Sequence, residues 1–298
     1  MSDERPTIRP VTLSRLVELT YACEDEYRST AELAEALDVN HRRARETILE
    51  ATRVSLLSES EDGDEFVYTT TGIGKSFLDS IRAENWRKVS SILAARSPHY
   101  GAFLQALEEI GYADLDTLLE HLEKTQEYTP YSFNQTGIEI VGDWAERLGS
   151  VQRNAFSGDY YLSNETEIPS NFHFILLDTY DNLEQTAGVN LRQRYLSIPR
   201  LRENICERIG CRRRDFDEAV LELCQQNVGK IELSGAPMDT AAKDATLGIK
   251  QIELADEGSL ITTSQSTQRV MAGVELYGKK YYYLAVHDRD ITFEQETH

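Results

Sequence analysis

The sequence predicts a mainly α-helical α+β protein, in which small β-hairpins follow groups of helices. Apolar residues recur at the three- and four-residue spacing of helices over many stretches of the chain. Short alternating stretches rich in β-branched and aromatic residues follow them, separated by turns that contain Gly, Asp or Asn. The same order of helices and hairpin occurs three times, without a sequence repeat of fixed period. We therefore expect three successive domains of similar architecture.

The first predicted domain covers residues 1–90 and begins with two helices. The apolar face of the first helix is formed by Leu13, Leu16, Val17 and Leu19. Ser29 or Thr30 caps a short second helix that continues to Leu37. Glu32 lies in the first turn of that helix, where an acid can bond back to the capping residue. This pattern defines where the second helix begins.

A third helix follows a tight turn at residues 38–40. It runs from about His41 to Arg53, and we expect Ile48 and Leu49 to face the core. The arginines near its beginning are Arg42, Arg43 and Arg45. In a helix-turn-helix pair, the beginning of the second helix approaches the major groove of DNA. These arginines are therefore candidate DNA contacts.

A hairpin and a fourth helix complete the first domain. The strands are predicted within residues 54–58 and 66–69, and Thr71 caps the helix that follows. Helix, helix-turn-helix, hairpin and helix is the order of a winged helix-turn-helix domain. The segment EFVYTTTGIGKSFLDSI resembles a common ending of archaeal, haloarchaeal-type winged-helix regulators. This resemblance covers most of the domain and implies that it binds DNA, with the hairpin as the wing.

The second predicted domain covers residues 91–168. Its helices begin at Pro98, after Asp114 and before Trp144, and a strand–turn–strand segment follows. The charged residues on its third helix are mostly acids, namely Glu139, Asp143 and Glu146 with a single base, Arg147. We therefore expect this winged-helix-like domain to pack against protein rather than DNA.

The third predicted domain covers residues 169–298 and contains the most cationic segment of the chain. Residues 192–214 carry eight arginines, no lysine and two acids, which gives +6 within a protein of net charge −20. The planar fork of arginine suits phosphate oxygens and guanine edges. The alternative is that these arginines pair with the surplus acids of their own protein. Charge alone leaves both interpretations open.

The arginine-rich segment also coincides with a second predicted helix-turn-helix. Pro199 lies near the start of a helix that runs through Ile209. After a turn at Gly210, a second helix extends from Arg212 to Gln226, and further β-structure follows it. Arginine is thus found twice at the beginning of the second helix of such a pair.

This repeated placement predicts a DNA-binding surface. The candidate contacts are Arg42, Arg43, Arg45, Arg200, Arg202, Arg208, Arg212, Arg213, Arg214, Lys279 and Lys280. Those at the beginnings of the two helices would contact the groove or phosphates, and the three from Arg200 to Arg208 would hold the DNA backbone. The alternative is local pairing of Arg43 with Glu46 and of Arg213 with Asp217, one helical turn apart.

Other functional classes find little support. No apolar stretch reaches the roughly 18 residues that a membrane span needs. The cysteines lack the CxxC spacing of zinc sites, and we expect them to be reduced and partly buried; they are Cys23, Cys206, Cys211 and Cys224. No phosphate-cradling GxxxxGK[ST] occurs, and no histidine lies in a recognisable nucleophile setting. We therefore expect a cytoplasmic protein without catalytic residues, metal or cofactor.

The acidity of the chain indicates adaptation to high salt. It contains 51 acids against 31 bases, and only eight of the bases are lysine, as in proteins of halophiles that accumulate salt. Attraction to phosphates weakens steeply in salt, so several linked modules would have to act together. We predict a double-stranded-DNA-binding transcriptional regulator or a recognition subunit of a larger system, such as a defence or restriction system, with a homodimer left open. The alternative is an adaptor whose winged helices dock other proteins.

Overall fold

The computed structural model describes residues 6–63, 65–124, 131–163, 167–186, 195–235, 245–255 and 259–294. The protein is a mixed α/β structure, about 51% helical and 21% strand, with small antiparallel sheets. It divides into two compact units: Met1–Gln152 with Lys250–Ser264, and Arg153–Ile249 with Gln265–His298. The domain boundaries predicted at 90/91 and 168/169 remain predictions.

The first part of the first unit follows the element order expected from the sequence. Its elements are α1 (Leu13–Ala22), β1 (Arg28–Ser29), α2 (Thr30–Ala36), α3 (His41–Arg53), β2 (Leu57–Asp62), β3 (Glu65–Thr70) and α4 (Gly72–Arg82). The strands form an antiparallel sheet in the order β1–β3–β2. Strand β1, which is too short to give a sequence pattern, was not predicted.

Capping residues explain where these elements begin. The Ser29 hydroxyl accepts a hydrogen bond from the Glu32 amide, and the Glu32 carboxylate accepts one from the Ser29 amide. Helices α3 and α4 also begin after residues whose side-chain oxygen accepts an amide hydrogen bond. Val54 still closes α3, and Ser55 has a φ of +62°. Strand β2 therefore starts only at Leu57, later than the sequence pattern predicted.

The core of this part follows the apolar periodicity except at one position. Helix α1 buries Leu13, Leu16, Val17 and Leu19, as predicted. On α3, Ile48 is buried but Leu49 is 39% exposed. The prediction that Leu49 faces the core is wrong, because one residue advances about 100° around a helix. That rotation places Leu49 on the same face as Arg42 and Arg45.

The chain continues through a second group of helices. Its elements are α5 (Trp86–Arg96), α6 (Pro98–Ile110), β4 (Tyr112–Ala113), α7 (Leu115–Lys124), α8 (Gln135–Arg147) and β5 (Val151–Arg153), the last of which ends in the second unit. Trp144 of α8 is fully buried, and its indole N–H donates to the Val11 carbonyl at 3.0 Å. This bond ties α8 to the N-terminal segment of the same unit.

The remaining elements are, in chain order, β6 (Tyr160–Leu162), α9 (Phe172–Thr186), β7 (Leu196–Ser197), α10 (Ile198–Ile209), α11 (Arg213–Gln226), β8 (Ile231–Gly235), β9 (Ile249–Leu254), β10 (Ile261–Ser266), α12 (Thr267–Val270), β11 (Val274–Leu276) and β12 (Lys279–Val286). Strand β12 pairs antiparallel with β7, β8 and β11. The core of the second unit includes Phe172, Leu201, Ile205, Phe216 and Leu284. Gly210 ends α10 with a φ of +68°, so the predicted turn is confirmed.

Strands β9 and β10 pair with each other and, apart from their outermost residues, belong to the first unit. Lys250 of β9 forms ion pairs with Asp143 and Glu146 of α8. Arg147 donates to two carbonyls of the same hairpin. The acids of α8 are thus partly occupied within the chain. The expected docking of this region to another protein stays a prediction.

No helix among the described residues combines the length and the apolar character that crossing a membrane requires. All four cysteines are free and buried. Across the described ranges, no cluster of three or more His, Cys, Asp or Glu side chains is arranged to hold a metal ion.

Candidate nucleic-acid interface

Arg42, Arg43 and Arg45, the α3 arginines, all lie exposed on α3. The Arg42 side chain is 88% exposed, and its Nε lies 3.2 Å from Glu46 Oε1. Arg43 and Arg45 form no ion pair with any residue that the structure describes. The local pair predicted between Arg43 and Glu46 is therefore formed by Arg42 instead. These three cations face solvent with a single carboxylate among them.

The turn before α3 fixes where the α3 arginines begin. Asp38 has a φ of +49°, and Asn40 accepts a hydrogen bond from the Arg43 amide at 2.9 Å. Arg15 of α1 donates to the Leu37 carbonyl at 2.8 Å and so holds the end of α2. The α2–α3 pair is therefore a fixed helix–turn–helix, and its second helix starts next to the cations.

The far end of α3 is anchored by buried charges. Glu50 is fully buried, and its Oε1 lies 2.6 Å from Nη2 of Arg53. The same nitrogen of Arg53 lies 3.4 Å from Nδ1 of His99, while Nε2 of His99 lies 3.1 Å from the Ser132 carbonyl. A neutral His99 with its proton on Nε2 satisfies both contacts. Burial raises the pKa of Glu50, whereas burial and the Arg53 charge lower the pKa of His99 to about 4.

The hairpin next to α3 has the opposite charge. Its exposed side chains near the β2–β3 turn include Glu59, Glu61, Asp62 and Glu65. Carboxylates repel DNA phosphates. The hairpin tip is thus unsuited to a phosphate contact, and the helix is the cationic element of this part.

Arg200, Arg202, Arg208, Arg212, Arg213 and Arg214 form a second set, the α10–α11 arginines; Arg192 and Arg194 lie outside the described residues. The Arg213 side chain is only 16% exposed. Its Nε and Nη2 donate to the two oxygens of buried Glu203 at 2.6 and 2.8 Å, and Nη2 also donates to the Arg153 carbonyl. Burial lowers the pKa of Arg213, but the hydrogen bonds and charge of Glu203 more than offset that effect. This guanidinium is a fully engaged part of the core.

Arg202 is enclosed more completely. Its side chain is 3% exposed, and its Nε lies 2.7 Å from Asp217 Oδ1. The Nη1 atom donates to the carbonyls of Val270 and Ala272. Asp217 therefore pairs with Arg202, not with Arg213 as the local alternative predicted. In this structure neither Arg202 nor Arg213 is available to a phosphate, which corrects their assignment as DNA contacts.

The other members of the second set are nearer the surface. Arg208 pairs with Asp178, and exposed Arg214 pairs with Glu218 one turn further along α11. Arg200 lies over the Phe156 ring at 5.4 Å, and Arg212 is the residue before α11 and is partly exposed. Lys279 and Lys280 are exposed at the β11–β12 turn, where Lys280 faces Glu275 across the hairpin. The ion pairs of Arg208 and Arg214 thus balance each of these two arginines with an acid.

No protein-family model matches the chain, and no curated protein matches it.

Proposed function

We propose that this protein binds double-stranded DNA through α3, with Arg42, Arg43 and Arg45 as its contacts, and serves as a transcriptional regulator or a DNA-recognition subunit. The observation that carries the proposal is the exposure of all three arginines at the beginning of the second helix of a helix–turn–helix pair. Arginine at that position suits both guanine edges and phosphates. No catalytic group is needed for this role.

The element order of the first unit supports the proposal. Its sequence of α1, β1, α2, α3, β2, β3 and α4, with a β1–β3–β2 sheet, has the order of a winged helix-turn-helix domain. We extend the same interpretation to α10 and α11 with the sheet around β12, as a related unit in which Arg202 and Arg213 are internal. The tandem arrangement thus contributes one DNA-contacting helix in this proposal, rather than two.

The composition of the exposed face of α3 suits base contact in high salt. Phosphate attraction weakens as salt rises, whereas a bidentate arginine–guanine pair contributes about 1–3 kcal/mol of discrimination. Leu49 is exposed on the same face as Arg42 and Arg45. An apolar side chain there can contact a thymine methyl group, which salt does not screen.

Binding to duplex DNA at about 2 M KCl tests the proposal, since a halophile-like protein should act in that range. Short random-sequence duplexes would first be selected on the wild-type protein and then titrated by fluorescence anisotropy. Changing all three α3 arginines to Gln should weaken binding by at least about tenfold, because each lost contact is worth roughly 1 kcal/mol or more.

Arg214→Gln is the matched control. Arg42 and Arg214 are both strongly exposed and both pair with a Glu four residues further along their helix. The control should leave the dissociation constant within about twofold, since an exposed pair contributes little. The proposal fails if the selected duplexes do not bind wild type, or if the α3 variant and the control behave alike.

One observation favours a second candidate, a module that docks another protein. Leu49 and Phe66 are both exposed apolar side chains in this part of the first unit, on α3 and β3. Exposed apolar side chains indicate a contact for another protein where they form a contiguous patch. If the wild-type protein is folded but binds no duplex, docking to another protein is the better explanation.

A further inference from the structure

Helix α5 lies in the longest stretch of the first unit that contains no acidic residue. Residues 85–107 include no Asp or Glu, although 51 acids among 298 residues would place about four in a stretch of this length. The same stretch carries Arg87, Lys88 and Arg96. All three cations belong to α5, which makes it a helix of purely positive charge.

The cations of α5 lie on its solvent side. The helix buries Val89, Ser90 and Leu93 against its unit. Arg87, Lys88 and Arg96 are exposed, together with Ser91 and Ala95. Within the described ranges, neither Lys88 nor Arg96 forms an ion pair.

Small residues between these cations leave the helix backbone approachable. Ser91 and Ala95 are the exposed residues between Lys88 and Arg96, and the Ser91 hydroxyl donates back to the Arg87 carbonyl at 2.9 Å. A helix face with cations at both ends and small side chains between them can lie close against a row of phosphates. Such contacts position a protein on DNA but do not select its sequence.

The end of α5 is linked to the end of α3. Arg96 precedes His99 by three residues, and His99 contacts Arg53, the last residue of α3. Both helices belong to the first unit, so the α5 cations and the α3 arginines are carried by the same compact part of the protein.

We infer that the exposed face of α5, with Arg87, Lys88 and Arg96, is a second contact for DNA, which binds backbone phosphates without reading bases. This inference rests on the proposed function. It assigns sequence selection to α3 and positioning along the backbone to α5. The occupant of the α5 face is the phosphate backbone of the same duplex that α3 contacts.

The salt dependence of binding tests the α5 face. The dissociation constant of the selected duplex would be measured for wild type and for Lys88→Gln/Arg96→Gln over a series of KCl concentrations. Each phosphate contact contributes a slope of about 0.9 in log K against log salt, so the double change should lower the slope by about 1.8. The loss of affinity should be equal for selected and random duplexes.

Lys124→Gln/Arg269→Gln removes the same charge from exposed positions on α7 and α12 and is the control. The inference is overturned if the slope of the α5 variant is unchanged, or if the control lowers it equally. In both cases the proposed function is still tested separately, by comparing duplex binding of wild type and of the variant with the three α3 arginines changed to Gln. Wild type that binds no duplex would instead overturn the proposed function, and the inference with it. Circular dichroism would confirm that each variant is folded.

Discussion

Arg42 and Arg213 occupy similar places in the sequence, at the start of the second helix of a pair, but opposite environments in the structure. Arg42 is 88% exposed, whereas Arg213 is 16% exposed and engaged with buried Glu203. The difference comes from the preceding helix. Helix α10 offers a buried carboxylate to α11, while the acid in the first turn of α2 is used to cap α2 itself. An arginine at the start of such a helix is thus available to a ligand only when it does not pair with a buried carboxylate of its own protein.

The largest effect that this comparison predicts is on stability. Glu203→Gln should lower the free energy of unfolding by about 3–5 kcal/mol, because it leaves the Arg213 charge buried without its partner. Urea unfolding in molar KCl would measure the change. The matched change beside α3, Glu46→Gln, should cost less than about 0.5 kcal/mol, since the Arg42–Glu46 pair is exposed. Equal losses in the two variants would remove the distinction between the two sets.

A smaller effect should appear on acidification, through the anchored end of α3. The pKa of His99 is lowered from 6.5 to about 4, so between these values the unfolded chain binds the extra proton. The stabilisation from neutral His99 is therefore present above pH 6.5 and is lost as the pH falls towards 4. The raised pKa of Glu50 acts in the opposite direction. His99→Gln isolates the histidine, because it keeps a donor for the Ser132 carbonyl without titrating.

Unfolding of wild type and His99→Gln would be compared at pH 7 and pH 5. Wild type should lose about 1–2 kcal/mol more than the variant, allowing for relaxation around the histidine. An identical pH dependence of the two proteins would show that His99 does not couple to folding. It would also weaken the view that α3 is fixed at its end and exposed at its beginning.

The smallest expected effects concern the exposed arginines themselves. Arg42→Gln and Arg214→Gln should each change the free energy of unfolding by less than about 0.5 kcal/mol. Their helices do not depend on these side chains for packing. A loss above about 1 kcal/mol in either variant would mean that the arginine has an internal role that its exposure conceals.

Local signals allowed much of the fold to be predicted. The bounds of α3 and α10 agree with the sequence pattern, since Asn40 caps the one and Gly210 ends the other. Helix α5 was missed because it has few buried apolar residues, and its face of small and cationic side chains gives a weak helical period. The position of Leu49 was wrong because the buried face of α3 includes Ala44, Ile48 and Ala51, and the residue after Ile48 lies about 100° further round the helix, away from that face.

The site was harder to predict because its decisive contacts are distant in sequence. Arg202 donates to the carbonyls of Val270 and Ala272, and Arg213 to that of Arg153. Residue spacing favours partners one helical turn away, so it could not indicate these contacts. Sequence could suggest two arginine sets, but only the fold shows that Arg202 and Arg213 are enclosed whereas the α3 arginines are exposed.

The hairpin of β9 and β10 has a consequence for how the protein is made. The first unit contains residues up to 152 and then 250–264, so the whole intervening segment must leave the ribosome before this unit is complete. Until then Asp143 and Glu146 lack Lys250. A gene truncated after residue 152 would therefore encode an incomplete first unit. Residues 1–152 and the rest of the chain should be expressed together.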